Sequence, residues 1–434
     1  MASIDAREIP ADQTSVTRLD GNGLDYRLVD FTDDASAAQY QRAVSRGFLG
    51  SEPTQESLSA EHATFAERRN IGVYDKAADT AAKPVATVNS WVTPLGVPGG
   101  AEVDMWAISV VTVAATHRRR GIARALLEGE LRAAVAAGVP IAGLTVSEAT
   151  IYGRYGFGAA VPAARLTIDT RRAGWAGLAP AGTLEYVEGE QLAADLGAVH
   201  ERARRLRPGQ IPGWRGRWDG YAGVSSTEAE RAKIRGVRYR DESGEVCGVL
   251  VYELTEMGGT FRSSLQVRLL VGETPDAVAA LWRFAVQHDL VDEVSADLRP
   301  LDDSLPWLVT DPRGVTQTIH DHGWLRVLDV ASALAARTYS APVDLVLRID
   351  DPLGFASGDW RLRVDDEGIA TVDRADGQRI DAAMGVSALS SLYVGGVRAS
   401  SLQGAGLIDA DSGVVIAIDR AFAAYPAPSL DIWY

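Results

Sequence analysis

One cysteine, Cys247, stands in a chain of 434 residues. An intrachain disulfide is therefore impossible, and so is a structural zinc site built from several thiolates. Long apolar runs are missing as well: no stretch approaches the roughly 20 apolar residues that a membrane-crossing helix needs. Positive charge is in deficit, with 43 Lys+Arg against 58 Asp+Glu and a net charge of −15. That balance argues against a general nucleic-acid or anionic-membrane binder and suits a cationic partner. The opening residues, MASIDAREIPADQTSV, are polar and carry no apolar signal segment. No low-complexity tract or short solenoid repeat interrupts the chain. The expectation is a cytoplasmic enzyme or binding protein.

Apolar content of 46% and charged content of 23% are ordinary for a globular protein. The length exceeds one ordinary core, so two or three domains are expected. Between 25 and 115 the sequence reads as a helix (Ser36 to Phe48) and short strands such as 71-IGVYD and 85-VATVNSWVT, with 75-DKAADTAAKP as an exposed hairpin loop. The β-branched 105-MWAISVVTV reads as a buried strand. Next, 121-GIARALLEGELRAAVAAG sets Leu126, Leu127, Leu131 and Val135 on one face and stops at Gly138, an amphipathic helix with a glycine stop. The strand 141-IAGLTVS completes an α/β layer. The Gly-, Ala- and Pro-rich RRAGWAGLAPAGT at 171–183 marks a boundary. A second α/β region follows: helix 191–207, a Gly/Trp/Arg loop 208-PGQIPGWRGRWDG, strands 236–255 and 263–272, helix 276–288 and strand 292–298. From about 324 a third region has a short helix DVASALAAR, strands 344-DLVLRID and 360-WRLRVDD, and helices near 387–394 and 398–404.

Residues 110 to 131, VVTVAATHRRRGIARALLEGEL, carry the chemistry. A buried strand ends, a short basic turn follows, and a helix begins. Backbone N–H groups at a helix N-terminus lack partners and lie at the positive end of its dipole, so they suit a phosphate. Gly121 allows close backbone approach, and the arginines add positive charge. The bare pattern R-x-x-G-x-[GA] also occurs from Arg18, Arg171 and Arg217, but only the Arg118 copy follows a buried strand and opens an amphipathic helix.

The stretch VTVAATHRRRGIARALL resembles motif A of the GNAT acetyltransferases, their acetyl-CoA pyrophosphate loop. With 147-SEATIYGRYGFG and 384-MGVSALSSLYVGGVRASSL, the resemblance is closer still to the Eis-type acetyltransferases and spans essentially the whole chain. It implies two tandem GNAT-like domains, at 1–168 and 169–318, and a sterol-carrier-protein-like domain at 319–434. The middle domain has no strand–RxxGxA–helix unit and should not bind acetyl-CoA. By the same resemblance, Val111, Thr112 and Val113 would present backbone groups along the pantetheine. Arg118, Arg119, Gly121, Ile122 and Ala123 would hold the pyrophosphate, and Ser147 would lie beside the cofactor. Tyr152 would be the general acid; a phenol with a pKa of roughly 10 carries its proton at neutral pH. No metal is implied, and the family suggests a homohexamer.

The chain finishes Leu430-Asp431-Ile432-Trp433-Tyr434. In the Eis-type family the terminal carboxylate enters the active-site cleft as base, which would make Tyr434 catalytic and Ile432, Trp433 and its own ring anchors. Acceptors would be amines of cationic molecules, aminoglycoside-like or polyamine, attacking the thioester directly with no acyl-enzyme. A lysine N-acetyltransferase acting on peptides is the alternative, and a non-catalytic acyl-CoA or lipid-binding protein a third. One departure bears on the acceptor. Family members carry an acid just before the last residue and another near the first helix–loop; here Trp433 is penultimate, the nearest acid is Asp431, and 45-SRGFLGSEP offers an arginine and a glycine. Weaker or different aminoglycoside selectivity is expected. Trp91, Phe48 and Phe65 are candidate walls of the acceptor pocket. His320-Asp321-His322 reads as a solvated loop rather than a metal clip, His117 as a turn residue within reach of phosphate, and Trp214 and Trp218 as filling a domain interface.

Overall fold

The computed structural model of the chain describes residues 4–78, 83–259 and 261–434. Part of the expected hairpin loop at 75–84, residues 79–82, lies outside them. Contacts divide the chain into two units: 1–160, 323–423 and Tyr434 form the first, 161–322 and 424–433 the second.

The chain opens with α1 (Gln13–Asp20), β1 (Leu24–Leu28), α2 (Asp34–Gly47), α3 (Gln55–Ala66), β2 (Arg69–Asp75), β3 (Ala86–Gly96) and β4 (Glu102–Val113). Helix α4 (Ile122–Ala136) leads to β5 (Ile141–Thr145) and β6 (Gly158–Asp169). Then come α5 (Thr170–Ala173), β7 (Thr183–Tyr186), α6 (Gly189–Ala203), α7 (Arg215–Ala222), α8 (Glu228–Arg231), β8 (Ile234–Arg240), β9 (Val246–Glu256) and β10 (Ser263–Gly272). Helix α9 (Pro275–Val286), β11 (Val291–Arg299), α10 (Leu305–Leu308) and β12 (Val315–Val327) follow. The last part holds α11 (Val330–Ala335), β13 (Val343–Asp350), β14 (Gly358–Val364), β15 (Ala370–Arg374), β16 (Ala382–Gly385), α12 (Val386–Leu392), α13 (Ala399–Gly404), β17 (Ile408–Ala410) and α14 (Ser412–Phe422).

In the first unit β1, β2, β3 and β4 run antiparallel in that order, and β5 joins β4 in parallel. Residues 323–327 of β12 close on β5. Helix α4 lays Ile122, Leu126, Leu127 and Leu131 on this sheet against Trp106, Ile108, Leu144 and Phe157. Each such side chain removed from water contributes about 1.5–3 kcal/mol, which is what holds the helix on the sheet. One charged pair is buried in the same layer. Arg69 and Glu130 are both fully buried, and Glu130 accepts from Trp106 Nε1 at 3.2 Å and from the Ser90 hydroxyl. The C-terminal part of this unit is a second sheet in the order β15-β14-β13-β16-β17.

The second unit has its sheet in the order β6-β11-β10-β9-β8-β7, packed by α9 through Leu281 and Trp282. Two expectations fail here. Part of the Gly/Trp/Arg loop at 208–220 is helical, because α7 begins at Arg215. Glycines make the room: a Cβ on Gly213 would lie 1.9 Å from the Trp218 ring, and one on Gly197 3.1 Å from it. Trp218 is thus packed inside this unit, 4.7 Å from the His200 ring. The segment around His320 and His322 is also not a solvated loop but β12, continued by apolar Leu325 and Val327. His322 is fully buried; His320 contacts Asp297 at 2.8 Å.

Candidate active site

Strand β4 makes the opening. Its residues Met105–Ala107 pair with Ile141–Gly143 of β5, and the parallel ladder goes no further. Beyond that point a bulge turns β4: Asn89 faces Ser109 while Thr87 faces Thr112, and Val110 sits at φ 47. A bulge inserts one residue and re-aims the strand. Val111, Thr112 and Val113 therefore present a β4 edge that β5 does not occupy. The Thr112 side chain is committed elsewhere. Its hydroxyl is 2.7 Å from that of Thr87, and a Cβ on Gly47 would fall 2.3 Å from its own Cβ. Only the main chain at 112 is left to meet a ligand.

Past β4 the chain makes one 3₁₀ turn, Ala115–His117, and enters α4 through Gly121 at φ 77. No side chain caps this helix, and a Cβ on Gly121 would meet nothing within 4 Å. The first amides of α4 are thus left to an external acceptor. Ile122 is buried in the core, so its contribution there is its N–H. Arg118 and Arg119 are exposed and bonded to no other described residue. Arg120 instead ties the turn down, to Asn22 O at 2.9 Å and Asp75 at 3.3 Å. His117 does the same: its Nε2 is 2.9 Å from Asp75. The expected contact of His117 with phosphate is therefore replaced by one with a carboxylate. That contact, led by His117, holds the Asp75 carboxyl down to about 2.

Ser147 is exposed in the turn after β5, and Tyr152 follows at the head of a 3₁₀ turn, Gly153–Tyr155. Both tyrosines are 7% exposed and pack into the core. Burial, and for Tyr152 the charge of Glu148, pushes the phenol above its ordinary value. Burial raises Tyr155 too, so proton affinity does not separate the two. The Tyr155 backbone is held by a side chain distant in sequence. Buried Arg326 donates from Nε to Tyr155 O at 3.0 Å and grips Asp351 at 2.6 and 2.7 Å.

Tyr434 lies on this face. The Thr145 hydroxyl donates to its carboxyl oxygen at 2.7 Å and accepts from its N–H at 3.4 Å. Its ring meets Trp91 edge to face, with centroids 5.6 Å apart at 83°. A Cβ on Gly143 would come within 3.0 Å of its hydroxyl and 2.3 Å of Met105 Sδ. In the second unit the preceding residues are clasped in turn. Leu430 and Ile432 are buried, Asp431 meets His200 Nε2 at 3.0 Å, and Arg217 donates to Trp433 O. His322 Nε2 lies 3.1 Å from Ile432 O; a carbonyl only accepts, so that nitrogen carries the hydrogen. Burial brings His322 down to about 4, leaving it neutral near pH 7.

Comparison with known proteins decides the family. The "Acetyltransferase (GNAT) domain" profiles match residues 29–160 and 212–327, and the "Sterol carrier protein domain" profile matches 330–430. A Streptomyces avermitilis protein named only as an N-acetyltransferase is 35% identical over 387 residues, covering 86% of this chain and 90% of its own. The N-acetyltransferase Eis of Mycobacterium bovis is 34% identical over 341 residues, covering 76% and 80%. The chain belongs to the Eis-type GNAT N-acetyltransferases. The solved structure of Eis1 from Mycobacterium abscessus matches with a TM-score of 0.80 at 28% identity, over 94% of this chain and all of that one. A GCN5-related N-acetyltransferase from Anabaena variabilis shares the fold, with a TM-score of 0.77 at 20% identity over 95% of this chain and 100% of its own.

Two GNAT domains followed by a sterol-carrier-like domain is thus the architecture of this acetyltransferase. Among the expected walls of its acceptor pocket, only Trp91 is beside Tyr434. Phe65 is 8% exposed and stacks on Phe31 in a small core beneath α2 and α3, and Phe48 is 54% exposed at the end of α2. Asp431 is no free acid for a cation: burial pushes its carboxyl up, and the His200 contact outweighs that and holds it below the usual range. Sequence reasoning missed Thr145, Gly143 and Arg326. It also missed Arg68, whose guanidinium sits 3.7 Å over the Trp91 ring. No motif marks them, because each matters only through a residue far away in sequence. Among the described residues no group of three or more His, Cys, Asp or Glu could hold a metal, and no helix is long and apolar enough to cross a membrane.

Proposed function

We propose that this acetyltransferase moves an acetyl group from acetyl-CoA directly to a primary amine of a small cationic acceptor, aminoglycoside-like or polyamine, in the domain at 1–168. The observation that carries the reading is the uncapped N-terminus of α4 directly after the parted β4 edge. Those residues fit the donor. The free amides of Gly121, Ile122 and Ala123 with Arg118 and Arg119 would hold a pyrophosphate, and the main chain of Val111–Val113 would line the pantetheine, with Ser147 beside it. Acetyl-CoA supplies the acetyl group as an activated thioester. The carboxylate of Tyr434 takes a proton from the acceptor ammonium, whose lysine-like pKa of roughly 10.4 would otherwise keep it unreactive. Tyr152, kept protonated by burial, gives a proton to the departing thiolate. The domain at 169–318 holds no donor, and the one at 319–434 carries the base. Net charge of −15 supports a cationic acceptor. Family resemblance supports a cytoplasmic homohexamer.

The test is CoA thiol release against several aminoglycosides, spermidine and a lysine peptide, with native protein beside a version extended after Tyr434. Activity that collapses on extension while acetyl-CoA still binds supports the carboxylate as base. Equal activity in both refutes it. Tyr152→Phe is expected to lower turnover with acetyl-CoA binding intact; unchanged turnover removes Tyr152 as the acid.

A further inference from the structure

We infer that Thr145 is a positioning residue for the base: its hydroxyl sets the orientation of the Tyr434 carboxylate. The inference rests on the reading that this carboxylate accepts the acceptor's proton. Both hydrogen bonds that Tyr434 makes to other described residues go to the one Thr145 oxygen, which donates to a carboxyl oxygen at 2.7 Å and accepts from the amide at 3.4 Å. One hydroxyl oxygen can do both at once, whereas an amide or ammonium nitrogen only donates.

The other contacts of Tyr434 are of a different kind. The edge-to-face meeting with Trp91 and the gap over Gly143 fix where the ring lies. They are apolar and place no constraint on rotation of the carboxyl group about its Cα–C bond. The Thr145 hydroxyl supplies that constraint. Binding one carboxyl oxygen leaves the other as the defined seat for a proton. Thr145 is also well sited to do so. It is the last residue of β5, past the point where β4 and β5 part, and its backbone is fixed by pairing with Gly323. A general base must come within hydrogen-bond reach of its proton, and a misplacement of about 1 Å costs on the order of 100-fold in rate.

The experiment uses the full chain with Thr145→Val, Thr145→Ser and the version extended after Tyr434. Valine keeps the β-branched shape and loses the hydroxyl; serine keeps the hydroxyl. For an amine that native protein acetylates, Thr145→Val is expected to lower kcat by about 10- to 100-fold, with acetyl-CoA affinity and melting temperature unchanged. Thr145→Ser is expected to retain most of the kcat. If extension abolishes turnover but Thr145→Val leaves kcat intact, the inference is overturned and the base stands. If neither change matters, the base itself is wrong and the inference falls with it. Valine and serine variants equally impaired, or a valine variant that melts early and binds acetyl-CoA poorly, would make Thr145 a structural residue and overturn the inference.

Discussion

Arg326 offers the sharpest test of how this fold supports its candidate active site. Its guanidinium is fully buried, as is its partner Asp351. The pair is bidentate, at 2.6 and 2.7 Å, and Asp351 also accepts from the amides of Leu353 at 2.9 Å and Ala356 at 2.8 Å. Arg326→Met keeps the volume and strands the carboxylate. Losing one partner of a buried pair costs about 3–5 kcal/mol, because the remaining charge has no compensation. Asp351→Asn in the same chain removes that charge, although it keeps only one accepting oxygen where Leu353 and Ala356 use two; with no stranded carboxylate left, the double variant is expected to lose less than the two single variants summed. Urea unfolding of the four proteins measures this. The pH sign follows from the same carboxylate. Burial pushes Asp351 up, but Arg326 and the two amides outweigh that and hold it below the ordinary range. Its contribution is therefore full above the unfolded pKa of about 3.9 and is lost as pH falls through the lower folded value. The Arg326→Met chain is expected to lack that acid-limb loss. Arg326 also donates to Tyr155 O, so kcat should fall along with stability. A cost under about 1 kcal/mol, or strict additivity, would show that the stranded-charge argument is wrong.

Two further outcomes follow. Arg118→Ala with Arg119→Ala is expected to raise the acetyl-CoA KM by about tenfold or more while kcat changes little, since charge-assisted phosphate contacts are worth about 1.5–3 kcal/mol each; steady-state kinetics with varied acetyl-CoA reads it, and an unchanged KM moves the donor site elsewhere. Arg68→Ala frees the ring face of Trp91 from its resident cation, so KM for spermidine should fall severalfold, in line with the roughly 0.5–2 kcal/mol of a cation–π contact; an unchanged or higher KM separates Trp91 from acceptor binding.

Much of this molecule is legible in sequence because it rests on local pattern. The run 121-GIARALLEGELRAAVAAG has helical periodicity and a glycine at each end, and α4 spans Ile122–Ala136 within it. The basic turn after a β-branched strand is equally local, and the uncapped helix start follows from it. The Trp218 helix and the strand at His322 were not legible. In both, a burial decided by distant partners overrides a local composition that reads as loop. The parting of β4 from β5 was hidden for the same reason, since a bulge at Val110 depends on the register with β3.

The sequence by itself determined the strand, the basic turn and the helix that follows it, and it carries the motifs by which the chain resembles its family, since periodicity, glycine placement and motifs are properties of consecutive residues. The tertiary structure alone decided which side chains meet. Thr145 and Tyr434 are 289 residues apart, Arg326 and Tyr155 171, and Arg68 reaches Trp91 from the neighbouring strand's start. Such pairs leave no periodic trace, because each is set by where whole sheets and tails come to rest and not by the spacing of the chain.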